Sequence, residues 1–369
     1  MRIIRNVSAS AYKHIAKPLL FTQKPERVHD ATLQVAHYAG RLAPVRGLTS
    51  AMWAYKDPIL EQTVDNIVYK NPIGLAAGWD KDAKAIPLMS ALGFGLTEVG
   101  SITKYAYAGN DGTRLWRLPA QKSILVYYGL KNEGVDIIAP RIKTAYSRIP
   151  IGTNIARTNS PQCDDISSIE DYAYSFAKLA NIGNYFTVNI SCPNTFGGQP
   201  FHDKKRLHML LTKLDTIKTH KPVYIKLSPD ISYKERVGIA ELLHEHRVHG
   251  VICGNLTKNH SLPSIKDVAV PEQGGFSGKV VEQLSNELIY DMYKLTKGTK
   301  TIIGLGGVFS GADAYKKITL GASLVQLITG LIYQGPQTVG NINYELAHIL
   351  RKNGFTSISE AVGAHYKNK

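Results

Sequence analysis

YFTVNISCPNT, residues 185–195, joins an apolar run to a polar turn. The run Tyr185–Ile190 is rich in β-branched and aromatic residues, which predicts a buried strand. Asn189 and Asn194 carry amides that can bind a planar ring, and the thiolate of Cys192 between them can act as a general base. The pattern also fits a strand end followed by ordinary turn residues.

Seven further apolar runs alternate with helix-length segments after residue 71, and together they predict a parallel sheet. Eight such repeats favour a closed (β/α)₈ TIM barrel over an open sheet. The predicted strands are Ile73–Ala77, Leu96–Gly100, Ile151–Ile155, Tyr185–Ile190, Val223–Leu227, Gly250–Cys253, Thr301–Leu305 and Leu324–Ile328.

Polar side chains end or follow five of these strands. They are Lys81, Asn154, Asn189, Lys226 and Asn255. The carboxyl ends of barrel strands meet at one mouth, so we expect these residues to converge there. Buried Lys and Asn side chains need partners, and their convergence indicates a polar, anionic ligand.

Glycines mark a phosphate site near the last two strands. Gly278, Gly306-Gly307 and the Thr329-Gly330 turn stand where barrels bind phosphate with backbone N–H groups. The GLGG sequence lacks the spacing of a dinucleotide-binding fingerprint, and no P-loop pattern is present. A phosphate above amide-bearing side chains fits flavin mononucleotide (FMN), and a sugar phosphate fits as well.

Residues 1–46 form a separate predicted segment, and residues 47–369 hold the barrel. Residues 1–50 contain eight Lys or Arg and two acidic residues. Apolar positions between Ala9 and Leu20 lie on one helix face, which Pro18 should break or kink, and a second helix should run from Pro25 to Gly40. Two short basic amphipathic helices fit a membrane surface, and they equally fit a cap packed on the barrel.

Composition bounds the function classes. The formal charge of +15 favours anionic partners, although a basic surface can also be solvated background. Apolar runs stay below the roughly 18 residues of a membrane span. The three cysteines show no CxxC spacing, which gives no indication of a metal site, and their odd number argues against a disulfide framework.

Ten segments carry a resemblance to a known family. In barrel order they are NPIGLAAGWDKD (71–82), LGFGLTEVGSIT (92–103), GNDGTRLWRLP (109–119), VNISCPNT (188–195), YIKLSPD (224–230), QGGFSGK (273–279), IIGLGGV (302–308) and GASLVQLITGLIYQGP (321–336), flanked by PERVH (25–29) and GFTSISEAVGAHYK (354–367). The chain resembles the dihydroorotate dehydrogenases. The two flanking segments are similar to those of the quinone-dependent, membrane-associated class.

The resemblance implies an FMN-binding barrel that oxidises dihydroorotate to orotate in pyrimidine synthesis. Cys192 takes the position of the base that removes a proton from the substrate while FMN accepts a hydride. The residues implied for FMN are Ala77, Gly78, Lys81, Ser101, Asn154, Asn189, Lys226, Gly278, Gly307, Ile328 and Thr329. Those implied for the pyrimidine carboxylate are Lys81, Asn189, Asn194 and Asn255.

The resemblance also implies a quinone as the final electron acceptor. His29 and Arg117 match residues of a quinone tunnel that the N-terminal helices cover. The expected location is peripheral, on the cytoplasmic side of a bacterial inner membrane, without a nucleic-acid partner.

Several positions depart from the family. The quinone class has Ser at the position of Cys192, and a thiol is the more acidic group. Val126 stands where an Asn contacts the pyrimidine, and Leu130 replaces a Phe. Gly254 and Leu256 replace two hydroxyl residues around Asn255. Each lost hydrogen bond to a buried polar ligand costs roughly 1–3 kcal/mol.

Four functions therefore compete. The first is quinone-dependent dihydroorotate oxidation. The second is a related flavin oxidoreductase with another dihydropyrimidine or unsaturated substrate, motivated by the altered pocket. The third is tRNA dihydrouridine synthesis, suggested by the positive charge, and the fourth is a phosphate-binding barrel without catalysis.

Overall fold

A closed eight-stranded parallel barrel forms the centre of the molecule, seen in a computed structural model that describes residues 2–266 and 270–367. The barrel strands are β1 (Ile73–Leu75), β2 (Leu96–Ile102), β3 (Ile151–Ile155), β4 (Tyr185–Asn189), β5 (Val223–Leu227), β6 (Gly250–Cys253), β7 (Thr301–Leu305) and β8 (Leu324–Leu327). Each strand pairs with the next along the chain, and β8 pairs with β1 to close the barrel. The predicted fold is confirmed, and four of the eight predicted strands have the observed limits.

Helices follow the strands and surround the barrel. They are Ile86–Met89, Val135–Thr144, Asp165–Leu179, Lys204–Asp215, Tyr233–Glu245, Glu282–Leu295, Gly311–Thr319 and Thr338–Lys352, with the short helices Thr329–Gln334, Ile358–Ala361 and Ala364–Lys367. Side chains cap the starts of several of them, which satisfies N–H groups that the first helical turn leaves free. The capping residues include Asp164, Asp203, Ser232 and Ser310.

Side chains alternate along the strands, so that every second residue faces the barrel interior. The amino-terminal layer is apolar and includes Leu96, Tyr185, Tyr224 and Leu324. Tyr69 packs into this layer from a hairpin of strands Gln62–Val64 and Ile67–Tyr69, which closes that end. The polar residues at the opposite end therefore face the only mouth that this hairpin leaves open within the described residues.

A three-stranded antiparallel sheet lies outside the barrel. Its strands are Leu115–Leu118, Ser123–Val126 and Gly275–Gly278, with Ser123–Val126 in the middle. The third strand comes about 150 residues after the other two, and residues of all three contribute to the cavities at the mouth.

The N-terminal helices pack against the barrel. The first runs through Arg2–Ala11, a π-helical turn at Tyr12–Ala16 and Lys17–Phe21, and the next two are Pro25–Arg41 and Ala43–Trp53. Pro18 neither ends nor breaks the first helix. The Lys17 N–H instead bonds the carbonyl of Tyr12, five residues back, and a π-turn of this kind can absorb the proline's missing donor.

The second predicted helix is confirmed. The third helix, Ala43–Trp53, crosses the boundary that the sequence places between residues 46 and 47. The division into two segments remains a prediction.

Candidate active site

A cleft opens at the carboxyl ends of the barrel strands and consists of two adjoining cavities. One has an empty volume of about 490 Å³ and is lined by the loops after β7 and β8. The other has about 900 Å³ and extends over Cys192 toward the N-terminal helices. Both share Ala77, Lys226, Asn255 and Ile328, so a single elongated ligand could occupy them together.

Glycine backbone forms the smaller cavity. Gly307 has φ +72°, and a Cβ there would stand 2.3 Å from the Cβ of Glu282. Gly278 has φ +106°, and a Cβ there would stand 2.6 Å from the Lys122 carbonyl oxygen. The hydroxyl of Thr329 lies 3.0 Å from that of Ser277. Gly278, Gly307, Ile328 and Thr329 therefore line the same cavity.

A chain of side-chain hydrogen bonds runs beneath the larger cavity. Asn189 Nδ2 donates to Ser101 Oγ over 2.7 Å, and Ser101 Oγ donates to Asn154 Oδ1 over 2.5 Å. Asn189 Oδ1 accepts a hydrogen bond from the Ser191 hydroxyl. Asn255 Nδ2 donates to that same hydroxyl oxygen over 2.8 Å. Asn154 is fully buried and does not line either cavity, so its place is behind Ser101.

Glu98 anchors this chain from the barrel interior, and it was not among the predicted site residues. Its buried carboxylate accepts the Asn154 amide over 2.7 Å and the Gln326 amide over 2.8 Å. Tyr185 and Thr187 donate their hydroxyls to it as well. The inward register of Glu98 on β2 was the available signal, because alternate residues of a barrel strand share the interior.

Two lysines reach the cleft without a carboxylate partner. Among the described residues, no hydrogen bond or ion pair involves the Nζ of Lys226 or Lys81, and Lys81 Nζ lies 4.3 Å from the centre of the Tyr128 ring. Burial lowers the pKa of Lys226, and burial lowers the pKa of Lys81 to about 8. The carboxylates that act on them through space, chiefly Asp82 on Lys81 and Glu98 on Lys226, do not contact the ammonium groups. A buried ammonium without a contacting carboxylate is costly, so both positions favour an anionic ligand.

Cys192 lines the larger cavity in the turn after β4. Burial raises the pKa of its thiol, while a backbone hydrogen bond from Asn194 and the charge of Lys226 act in the opposite direction. The thiol is therefore protonated near neutral pH, and Lys226 favours its deprotonation.

Asn194 holds the turn against the outer sheet. Its Nδ2 donates to the carbonyl of Val126 over 2.8 Å. Its Oδ1 is buried and has no partner within the described part of the chain. Because unpaired buried acceptors are rare, this oxygen is a position for a ligand N–H group.

Most departures from the family pattern line the larger cavity, whereas Gly254 follows β6 and lines neither cavity. Val126, Leu130 and Leu256 line the larger cavity with apolar side chains. Gly254 has φ +138°, and a Cβ would stand 1.9 Å from the Leu305 carbonyl oxygen, which leaves no room for a side chain. Leu130 has φ +69°, which is an uncommon conformation for a non-glycine residue.

His29 and Arg117 occupy different places. His29 lines the cavity, and its Nε2 lies 2.9 Å from the Trp79 carbonyl oxygen. Burial lowers the pKa of His29, and the nearby Lys81 lowers it further. Arg117 does not line the cavity; it donates to the Gln23 carbonyl over 2.8 Å and stacks 4.5 Å from the Phe21 ring, at the turn between the first two helices.

An apolar wall leads from the cavity toward the N-terminal helices. Its members pack in one cluster and include Phe21, Leu115, Ile124, Val126, Ile332 and Tyr333. Ile332 and Leu115 also line the cavity, so the wall is continuous with the cleft.

Comparisons with known proteins identify similar chains. The family model described as Dihydroorotate dehydrogenase matches residues 59–350. A protein of Gloeobacter violaceus named dihydroorotate dehydrogenase (quinone) is 37% identical over 353 residues, which cover 95% of this chain and 98% of the relative. One of Christiangramia forsetii with the same name is 37% identical and covers 91% of this chain and 98% of the relative.

Solved structures show the same architecture. DHODH of Eimeria tenella in complex with ferulenol has a TM-score of 0.85 and 27% identity, covering 93% of this chain and 96% of that one. The ligand-free form from the same organism has a TM-score of 0.84 and 28% identity, covering 92% of this chain and 99% of that one.

Proposed function

The chain belongs to the dihydroorotate dehydrogenase family, and from this we infer that it oxidises dihydroorotate to orotate and passes the electrons to a quinone. The observation that carries the inference is the continuous cleft, in which a glycine-walled cavity and the Cys192 cavity share Lys226. Of the four competing functions, the family membership supports the first.

FMN is the cofactor that the cleft would hold. Gly278 and Gly307 pack closely against Lys122 and Glu282, and a Cβ at either position would collide with those residues. Backbone N–H groups in such a cavity suit a phosphate. Lys226 between the cavities suits the polar ring, and bound FMN would supply the hydride acceptor. Ala77, Gly78, Ser101 and Asn189 complete the proposed contacts, and Asn154 would act through Ser101 rather than by direct contact.

Five residues that line the larger cavity have proposed roles in this reaction. Cys192 would take the substrate proton as its thiolate, and the charge of Lys226 favours that thiolate. Asn194 would accept a ring N–H at its free Oδ1. Lys81 and Asn255 would contact the substrate's polar edge, with Asn255 held in place by Ser191.

The apolar wall is the proposed quinone path. A quinone is an apolar ring with two carbonyl oxygens, and the cluster of Leu115, Ile124 and Ile332 meets the cavity directly. His29 lies at the cavity, and it would bind a quinone carbonyl oxygen in exchange for its contact with the Trp79 carbonyl oxygen. Arg117 instead fixes the turn after Phe21, so we propose that it shapes the path without lining the cavity.

We also propose that the N-terminal helices lie on a membrane surface. Ile3, Val7, Ile15 and Leu19 of the first helix are exposed, as are Val35 and Tyr38 of the second. Tyr12 faces the barrel instead and donates its hydroxyl to the Ile332 carbonyl over 2.6 Å. No helix in the described ranges combines the length and the apolar character that a membrane crossing needs. The proposed side is the cytoplasmic face of a bacterial inner membrane.

Vesicle sedimentation tests the membrane proposal. A variant with Ile3, Val7 and Leu19 changed to Ser should sediment less with anionic vesicles and keep the wild-type melting temperature, because these side chains are exposed. Equal sedimentation of both proteins would contradict the proposal.

The altered pocket supports a second candidate, which is the oxidation of another dihydropyrimidine. Val126, Leu130 and Leu256 offer the ring apolar contacts where the family has polar or aromatic side chains. The two candidates differ in the substrate alone.

Anaerobic flavin spectroscopy separates them. Dihydroorotate should bleach the flavin of the purified protein, and a quinone should restore the colour. A yellow protein that dithionite bleaches and dihydroorotate does not would favour the second candidate.

A further inference from the structure

An open groove adjoins the cleft on the side of the N-terminal helices. It lies between the helix Pro25–Arg41 and the loops after β1 and β2, with an empty volume of about 1980 Å³. The groove and the larger cavity share His29, Trp79, Lys81, Tyr128 and Lys131. These five residues, here called the neck, therefore mark where a molecule would pass from solvent into the cavity.

The cavity beyond the neck carries positive charge only. Within the described residues its lining includes Lys81, Lys131 and Lys226 and no carboxylate. Lys226 also lines the glycine-walled cavity, at the cofactor end, whereas Lys81 and Lys131 both belong to the neck. Two separate anionic groups, one at each end, would match this distribution.

The carboxylates of the groove already have hydrogen-bonding or ionic partners within the groove. Glu133 binds Arg141 over 2.7 Å and also pairs with Lys84. Asp82 lies 3.5 Å from the same Lys84, and Asp30 lies 3.1 Å from His29. Asp82 and Asp30 attract Lys81 through space, but neither lies within ion-pair distance of the Nζ of Lys81 or Lys131, so both ammonium groups are accessible to an anion.

Lys131 is held only loosely. Its nearest carboxylate is Glu26, at 3.8 Å, which is beyond hydrogen-bond distance. Glu26 is bound by both Nε and Nη2 of Arg114. Burial is the largest cause of the lowered pKa of Lys81, and repulsion from Lys131 lowers it further. An anion between the two ammonium groups would relieve the repulsion.

We propose that Lys131 and Lys81 form a two-lysine clamp for the substrate carboxylate at the neck of the cleft. The proposal rests on the proposed function, since it assigns the carboxylate of that reaction's substrate. It also accounts for the altered pocket, because the clamp recognises the substituent by charge while Val126, Leu130 and Leu256 pack against the ring. Specificity then depends on the carboxylate more than on the ring amides.

Paired ligands and variants test the clamp. The oxidised flavoprotein would be titrated with orotate and with uracil, which lacks the carboxylate, and binding followed by the shift in flavin absorbance. Lys131→Gln should weaken orotate binding roughly ten- to hundred-fold, as expected for a charge-assisted contact, and leave uracil binding unchanged. Lys131→Arg should retain most of the orotate affinity.

A matched control is Lys218→Gln, which removes an exposed lysine outside the cleft and should change neither affinity. Flavin content and melting temperature verify that each variant is folded. Orotate affinity in the wild type should also fall with salt, and this dependence should be weaker in Lys131→Gln.

Two outcomes would overturn the clamp. One is a wild type that binds orotate no more tightly than uracil, and the other is a Lys131→Gln variant that loses both ligands equally or neither. The proposed reaction fails separately, if the wild type prefers orotate to uracil in a Lys131-dependent way and yet dihydroorotate does not reduce its flavin.

Discussion

The two ends of the cleft are built from different parts of the chain. At the smaller cavity, the main chain at Gly278 and Gly307 packs closely against other segments of the chain, and neither position has room for a Cβ. At the larger cavity, side chains such as Cys192, Asn194 and Val126 form the surface. Side chains can be exchanged without moving the backbone, so the substrate end can diverge while the phosphate end keeps its sequence.

Gly307→Ala should give the largest effect, because it adds a side chain to the smaller cavity, whose shape depends on close packing of the main chain. A Cβ at φ +72° is strained and would stand 2.3 Å from Glu282, so we expect loss of bound flavin and of all activity. Flavin absorbance per protein and thermal unfolding measure this. The control is Gly47→Ala in the helix Ala43–Trp53, where no atom lies within 4 Å; it should keep its flavin and gain up to about 1 kcal/mol. Full flavin occupancy in Gly307→Ala would show that the smaller cavity tolerates an added side chain, and would contradict the proposed difference between the two ends of the cleft.

Cys192→Ala should have the next largest effect, at the side-chain end. The variant should keep its flavin, while reduction by dihydroorotate slows roughly 10²- to 10⁴-fold because the base is missing. Anaerobic stopped-flow absorbance measures the rate. Cys163→Ala, which changes a cysteine that does not line the cleft, should keep the wild-type rate.

The pH profile sharpens the same prediction. Burial raises the pKa of Cys192, so the thiolate fraction, and with it the rate, should increase as pH rises above the ordinary range of a thiol. In Cys192→Ser the increase should move to higher pH, since a hydroxyl is the weaker acid. A wild-type rate that falls over this range would exclude the thiolate as the base.

Lys226→Met should have an intermediate effect, because Lys226 lines both cavities. Its charge favours the thiolate of Cys192 and negative charge on bound FMN, so we expect a more negative flavin potential and a roughly 10²-fold slower reduction. Redox titration and stopped-flow absorbance measure the two effects. Lys218→Met should alter neither, and an unchanged potential in Lys226→Met would place the ring elsewhere.

Val126→Asn should have the smallest effect. One added amide contact to the ring is worth roughly 0.5–1.5 kcal/mol, so the Kd for dihydroorotate should fall by up to about tenfold. Val68→Asn, exposed on the hairpin at the opposite end of the barrel, should leave the Kd unchanged. A weaker affinity in Val126→Asn would indicate that the cavity is shaped for a different ring.

The local sequence pattern predicted the barrel because each strand can be recognised from a few consecutive residues. The runs Ile151–Ile155 and Val223–Leu227 each contain β-branched residues and begin directly after a proline, and they are strands with those limits. The first helix was less predictable at Pro18, because a π-turn compensates for the proline only in the context of the docked helix.

Long-range contacts could not be predicted in the same way. The strand Gly275–Gly278 pairs with Ser123–Val126 across about 150 residues, and no local pattern specifies such a partner. Glu98 lies in an apolar strand, and its function as an acceptor for Asn154 and Gln326 depends on two other strands. Asn154 is bonded to Ser101 in the structure, and its predicted contact with the flavin ring stays a prediction.

The sequence by itself determined the strand–helix alternation, the mouth at which Cys192, Lys81 and Lys226 would meet, and the glycines of the smaller cavity. These follow from residue periodicity and from backbone conformations that only glycine adopts readily. Tertiary structure alone decided that Lys131 joins Lys81 at the neck, that Arg117 fixes a turn, and that Gly254 has no room for a side chain. Those features depend on distances between segments far apart in the chain, which the order of residues does not contain.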